Sequence, residues 1–295
     1  MMKLDLERLR REIHALYQGE LAQLGEHGTL EVLDAARQWD FASTLRAGGV
    51  VVFPHTNPLD SGLHTAAAVN ACLDSGADRV IVVSVLHAFT QEMENARIQV
   101  AAGDDPASWP FWGIQGPGID GRDEWRGDHA LLCFRHFWAA ETKRRGIKGP
   151  ELIERYPYLT GGRPERLPGI DELSRLAENA VIVSTADSLH HGIGYGDPPE
   201  RSYHPDAEGL AFARRTIEEG IDLLGRGDYP GYVQHCLRAK SDARDAGSVF
   251  RYVAGPLQGH IVDLKYSDAT ELYRQPAPTW VAAALVEWLA AQPAV

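Results

Sequence analysis

Three unbroken apolar runs constrain this chain more than anything else in it. The first is Val50-Val51-Val52-Phe53, stopped at once by Pro54-His55. The second, Val80-Ile81-Val82-Val83, runs on through Ser84-Val85-Leu86 to His87. The third, Val181-Ile182-Val183-Ser184-Thr185, meets Ala186-Asp187, with His190 and His191 just beyond. None alternates apolar with polar residues, so each reads as a strand buried on both faces. Pro54 and Pro58 forbid continuation of the first strand. Each run then delivers ionisable side chains at its carboxyl end, the edge at which open α/β sheets bind ligands. A lone strand-end histidine is usually a hydrogen-bonded structural residue. Histidines in the same topological position after three strands point to a site.

The rest of the chain supplies the helices such strands need. Between the first two strands, Asp60-Ser61-Gly62 opens an alanine-rich helix through 66–73, ended by Gly76. This strand–helix–strand unit implies a parallel pair joined by a right-handed crossover. Residues 1–47 read as a helical lead-in. One helix spans 4–24, with Leu4, Leu6, Leu9, Ile13, Leu16 and Tyr17 at helical spacing; a second spans 29–46 and closes at Gly48-Gly49. Residues 92–101 read as a strand or one arm of a hairpin. Residues 103–127, rich in Gly, Pro and Trp, form a long loop, either a lid or a cover over a satellite core. Asp128 is placed to cap a helix from His129 to about Arg145. A strand is expected at 152–160 and helices at 170–178, 205–225 and 229–240. A helical segment to 254, a strand at 259–266 and a closing helix at 278–291 complete the chain. The expectation is one α/β domain over 1–295, with a mostly parallel or mixed central sheet flanked by helices on both faces.

Composition excludes several roles. The formal net charge of −12, from 41 acids and 29 bases, argues against nucleic acid or an anionic membrane as partner. The three cysteines, Cys72, Cys133 and Cys236, form no C-x-x-C pair, so no zinc ribbon or thioredoxin motif is signalled. A sparse, odd count suits a reducing, cytoplasmic setting. The N-terminus is charged and lacks an apolar h-region, and no run of about 18 apolar residues predicts a membrane span. Gly192-Ile193-Gly194-Tyr195-Gly196-Asp197 is not a G-x-G-x-x-G motif, so no dinucleotide fold is read.

What remains is metal chemistry. Imidazole nitrogens suit iron, copper, zinc and nickel. Two histidines and a carboxylate on one face of an ion leave positions open for a bidentate substrate and dioxygen, the pattern of non-haem iron(II) oxygenases. His55, His87 and the Asp187/His190 pair are the strand-end candidates. They lie far apart in sequence, so no local spacing specifies the site.

At these residues the chain resembles the Memo-like proteins, which share a fold with class III extradiol ring-cleavage dioxygenases. The matching pieces are Phe53-Pro54-His55 followed by Gly62, Val85-Leu86-His87, Asp128-His129, Val183 through His190, and Ser248 followed by Tyr252-Val253-Ala254-Gly255. In order, they cover about residues 48–260. The resemblance implies metal ligands at His55, His87 and, counting back from Gly255, Asp242, with Asp245 as the rival. Some Memo-like proteins carry a cysteine at that third position; the dioxygenases carry a carboxylate, as this chain does. The resemblance also implies His190 as proton-handling group, with Asp187 fixing its tautomer, and His129 and His191 as pocket residues. Leu132 and Phe134 stand where the family has a carboxylate and a histidine, which points to a more apolar pocket.

The function so implied is an iron(II)-dependent dioxygenase taking dioxygen and a small catechol- or aminophenol-like aromatic. Copper, zinc and manganese are the alternative ions, and a homo-oligomer is left open. The competing readings are a Memo-like metal-binding or regulatory protein without ring cleavage, and a metal-dependent hydrolase.

Overall fold

The computed structural model describes residues 6–291. In chain order the elements are α1 (Leu6–Ala35), α2 (Ala42–Arg46), β1 (Val50–Phe53), α3 (Pro58–Asp74), β2 (Arg79–Val83) and α4 (Gln91–Ala102). Then come β3 (Gly113–Gln115), α5 (Leu132–Arg145), β4 (Glu151–Tyr158), α6 (Ile170–Ala177), β5 (Val181–Thr185) and β6 (Leu189–Gly192). The last are α7 (Ala207–Gly225), α8 (Tyr229–Ala239), α9 (Arg244–Ala254), β7 (Leu257–Asp268), α10 (Thr270–Tyr273) and β8 (Thr279–Ala290). No described helix is long and apolar enough to cross a membrane.

The eight strands form one mixed sheet. Its path is β3-β4-β2-β5-β1-β8-β6, with β7 also paired to β8. The centre, β4-β2-β5-β1, is parallel, and β3, β6, β7 and β8 join antiparallel. The parallel strands read as uniform apolar runs because both faces are covered. Val50, Val52, Ile81 and Val83 pack with Leu224, Tyr232 and Phe250 of α7–α9. Val51, Phe53, Val80 and Val82 pack with Ala66, Ala67 and Ala68 of α3 and Phe134 and Phe137 of α5. Alanines on α3 let that helix approach the sheet closely.

β8 organises the edge where the candidate site sits. β7 runs along its whole length on one side. On the other side β1 pairs with 286–288 and β6 with 279–282, end to end. The sheet therefore opens between the end of β1 and the start of β6. Gly192 ends β6 at φ +107°, where any Cβ would collide with the Pro278 carbonyl.

Several expectations change. The closing helix at 278–291 is the strand β8. Its alanines carry high helix propensity, but Ala282, Ala283, Ala284 and Leu285 are fully buried, with strands on both edges, and tertiary context overrides a weak local preference. Residues 92–101 are helical, as α4. Thr90 Oγ1 accepts the Met93 N–H as N-cap, and Met93, Ala96 and Val100 form the buried stripe. In the lead-in, α1 kinks at Gly25 and ends at Ala35, and α2 is a separate short helix; Leu4 lies outside the described residues. Asp128 does not cap α5, which starts only at Leu132. The 103–127 loop contributes β3 to the sheet edge and lays Trp125 over Tyr156 at 5.9 Å between ring centroids.

Candidate metal centre

His55 and His87 leave the sheet where β1 and β2 end, and their main chains are pinned there. Asp187 Oδ1 accepts the His55 N–H at 3.1 Å. Asp128 Oδ2 accepts the His87 N–H at 2.8 Å. The third element arrives from the α8–α9 connection. Asp242 Oδ1 accepts the Asp187 N–H at 2.9 Å, and the Ser241 hydroxyl donates to the Asp187 carbonyl at 3.1 Å.

The three side chains meet. His55 Nε2 lies 3.3 Å from His87 Nε2 and 3.2 Å from Asp242 Oδ2, and His87 Nε2 lies 3.7 Å from the same oxygen. Asp187 Oδ2 stands 3.6 Å from His55 Nε2. The triangle is small enough for an ion about 2 Å from each corner, the usual metal–ligand length.

Hydrogen bonding behind the rings decides which nitrogen faces inward. The Thr185 hydroxyl donates to the Phe53 carbonyl at 2.9 Å, so toward His55 Nδ1, at 3.1 Å, it accepts. His55 Nδ1 therefore carries a proton, and Nε2 is the atom turned toward the cluster. His87 Nδ1 lies 3.0 Å from Asp128 Oδ1; an ionised carboxylate only accepts, so Nδ1 is again the donor and Nε2 the atom turned inward. Two Nε2 atoms and a carboxylate oxygen thus face one another, and Asp242 Oδ2 is buried with no hydrogen-bond partner. With both imidazoles neutral such a set is mutually repulsive, so it holds either protons or a metal ion.

The carboxylates favour positive charge on both rings. Burial lowers the His87 imidazole, but Asp128 and Asp242 reverse that and hold it up at about 10. Burial likewise lowers His55, and Asp187 and Asp242 outweigh it, so the net direction is up. Burial raises the Asp242 carboxyl, yet His55, His87 and His190 carry it well below the usual range. Asp187 moves up, mainly through burial and then through the Asp242 charge. The site holds its anion at Asp242 and attracts cations. Neutral imidazoles, an ionised carboxylate and fixed tautomers are what a metal requires.

The other sequence candidates fall into distinct places. His129 stacks on His87 at 4.2 Å between centroids, and its Nδ1 is buried without a partner; burial and the His87 charge push it well below its ordinary value. One donor atom from each of His55, His87 and His129 lies within 4.8 Å of the others. His190 places Nδ1 2.8 Å from the Lys240 carbonyl, which fixes Nδ1–H and leaves Nε2 as the basic atom. Its tautomer is therefore set by Lys240, and Asp187 serves His55 instead. His191 does not reach the cluster. Successive strand residues face opposite ways, and its ring is held by Asp197 and the Tyr203 N–H among Tyr203, Phe212 and Trp280. Asp245 Oδ1 accepts both the N–H and the hydroxyl of Thr160, at 2.7 and 2.6 Å, so Asp242 is the carboxylate at the histidines.

Sequence reasoning missed several residues. Asp128 aligns His87, and Thr185 aligns His55. The Tyr17 hydroxyl of α1 donates to the His55 carbonyl at 2.6 Å. Phe89 packs on His87, and Tyr195 lies between His190 and Tyr273. His87 keeps 21 % of its side chain exposed against 2 % for His55 and 8 % for Asp242, so the approach is from the His87 side. A separate apolar cavity between the sheet and α7–α9 is lined by Ala186, Ser188, Ser241 and Ala243, but by none of the cluster's side chains.

No family model and no curated protein matches the chain.

Proposed function

We propose that the protein is a non-haem iron(II)-dependent dioxygenase of the extradiol type, acting on a small aromatic with catechol- or aminophenol-like donors. One observation carries this reading: two imidazole Nε2 atoms and the partnerless Asp242 Oδ2 converge within 3.7 Å. His55, His87 and Asp242 would hold the ion. The donor set also admits copper, zinc and manganese, and the two-histidine, one-carboxylate pattern favours iron. Bound there, iron(II) supplies open positions for a chelating substrate and dioxygen.

The chain's own groups divide the remaining work. Asp128 and Thr185 hold Nδ1–H of the two ligand histidines, so that Nε2 of each faces the ion. His190 Nε2 takes a proton from a substrate hydroxyl and returns one later. Burial keeps its affinity for that proton below the ordinary value, so it is neutral and ready to accept at pH 7. His129 and Phe89 offer aromatic walls beside His87 for a flat ring.

The test is oxygen uptake by anaerobically purified, iron-loaded protein with a panel of catechols, aminophenols and hydroxyindoles. Uptake with a ring-opened chromophore is expected. His190→Ala should still bind the aromatic but turn over on the order of 10²-fold more slowly. An iron-loaded protein that consumes no oxygen across the panel returns the reading to a metal-dependent hydrolase or a non-catalytic metal protein.

A further inference from the structure

Arg244 is a buried charge outside the His55, His87 and Asp242 cluster. It opens α9, two residues past Asp242, and is more than nine-tenths buried, with 7 % of its surface exposed. A guanidinium withdrawn from water normally needs acceptors for its fork of N–H groups. Arg251, on the same helix and equally buried, donates to the carbonyls of Gly255 and Gly225. The Arg244 guanidinium makes no hydrogen bond and no ion pair among the described residues. Asp245 pulls on it electrostatically, but that carboxylate is bound to Thr160.

A second cation lies close by. Arg97 of α4 acts on Arg244 through its charge and feels the Asp242 carboxylate in turn. It pairs with Glu94 at 2.5 Å and keeps 30 % of its side chain exposed. Arg97 and Arg244 line one pocket with Leu159, Gly161 and Val233. That pocket stands at the carboxyl end of β4, the sheet edge that also carries His55 and His87.

We infer that this pocket is an anion subsite, in which Arg244 and Arg97 hold a carboxylate carried by the aromatic substrate. A guanidinium fork matches a carboxylate in two parallel hydrogen bonds. Glu94 and Asp245 offset part of the positive charge, which favours a single negative charge over a phosphate dianion. The inference rests on the proposed dioxygenase reading only for where the substrate's ring lies.

The test is calorimetry on anaerobic protein supplied with iron(II). The probes are catechols bearing a carboxylate directly on the ring or on a one- or two-carbon arm, each against its primary amide. At least one acid should bind about tenfold or more tightly than its amide, the scale of a charge-assisted bidentate pair. Arg244→Met should abolish that preference and Arg244→Lys restore part of it. Arg97→Met, at a more exposed position, should reduce it if Arg244→Met fails to fold. Equal binding of every acid and amide, or an intact preference in both folded methionine variants, would overturn the subsite. Failure of the metal reading looks different: no iron is taken up, while the preference for acids persists.

Discussion

Two of the carboxylates this molecule withdraws from water, Glu141 and Asp242, keep company opposite in kind. On α5, Glu141 is wholly buried and meets the guanidinium groups of Arg37, Arg144 and Arg145 at 2.6–2.9 Å. At the sheet edge, Asp242 is 8 % exposed and meets the Nε2 atoms of two imidazoles. The first acid is neutralised by fixed cations and ties α5 to the α1–α3 side. The second is balanced only by imidazoles that a proton or a metal ion must charge. Buried charge is tolerated when paired: the α5 node carries its own fixed cations, while the sheet-edge cluster depends on protons or an ion for the same balance. The same distinction separates Asp245, satisfied by Thr160, from Asp242 three residues earlier.

Substitutions should pull the two regions apart. Asp242→Ala should cost the largest effect, at least about 10²-fold in iron(II) affinity, with little change in thermal stability of the metal-free protein; competition with a chelator reads it. Glu141→Gln should do the reverse: about 2–3 kcal/mol of stability lost in urea unfolding, and iron affinity unchanged. If Glu141→Gln lost iron, the contrast between the two acids would collapse. Asp128→Asn keeps the shape but removes the charge that orients His87, and should lower affinity about 10–100-fold. Asp245→Ala should be smallest in effect: about 1–2 kcal/mol of stability from the lost Thr160 contacts, with affinity retained.

The legible parts of this chain are those where local chemistry and tertiary placement agree. Pro54 ends β1 and throws His55 to the sheet edge, and the uninterrupted valines of β1, β2 and β5 declare a sheet covered on both faces. Asp242 entered only through a resemblance, because nothing local separates it from Asp245; the difference is a Thr160 that lies 85 residues from Asp245. β8 was hidden because its alanines prefer a helix in isolation, and only its neighbours on both edges make it a strand. His190 and His191 look equivalent in sequence, yet the strand they form sends one toward Lys240 and the other among Tyr203, Phe212 and Trp280. Asp128 looked like a helix cap, and its partner His87 lies 41 residues earlier.

The central claim is that the His55, His87 and Asp242 cluster is built around a metal ion. Anaerobic titration of iron(II) into metal-free protein, with proton release recorded in two buffers of different ionisation enthalpy, tests it most directly. One ion per chain should bind with release of protons, since Asp128, Asp187 and Asp242 outweigh burial and raise both histidines, and the ion must displace the protons they hold. The same titration of the His55→Ala, His87→Ala double variant should show no tight site. Absence of binding in the unaltered protein, or an unchanged site in the double variant, would contradict the account.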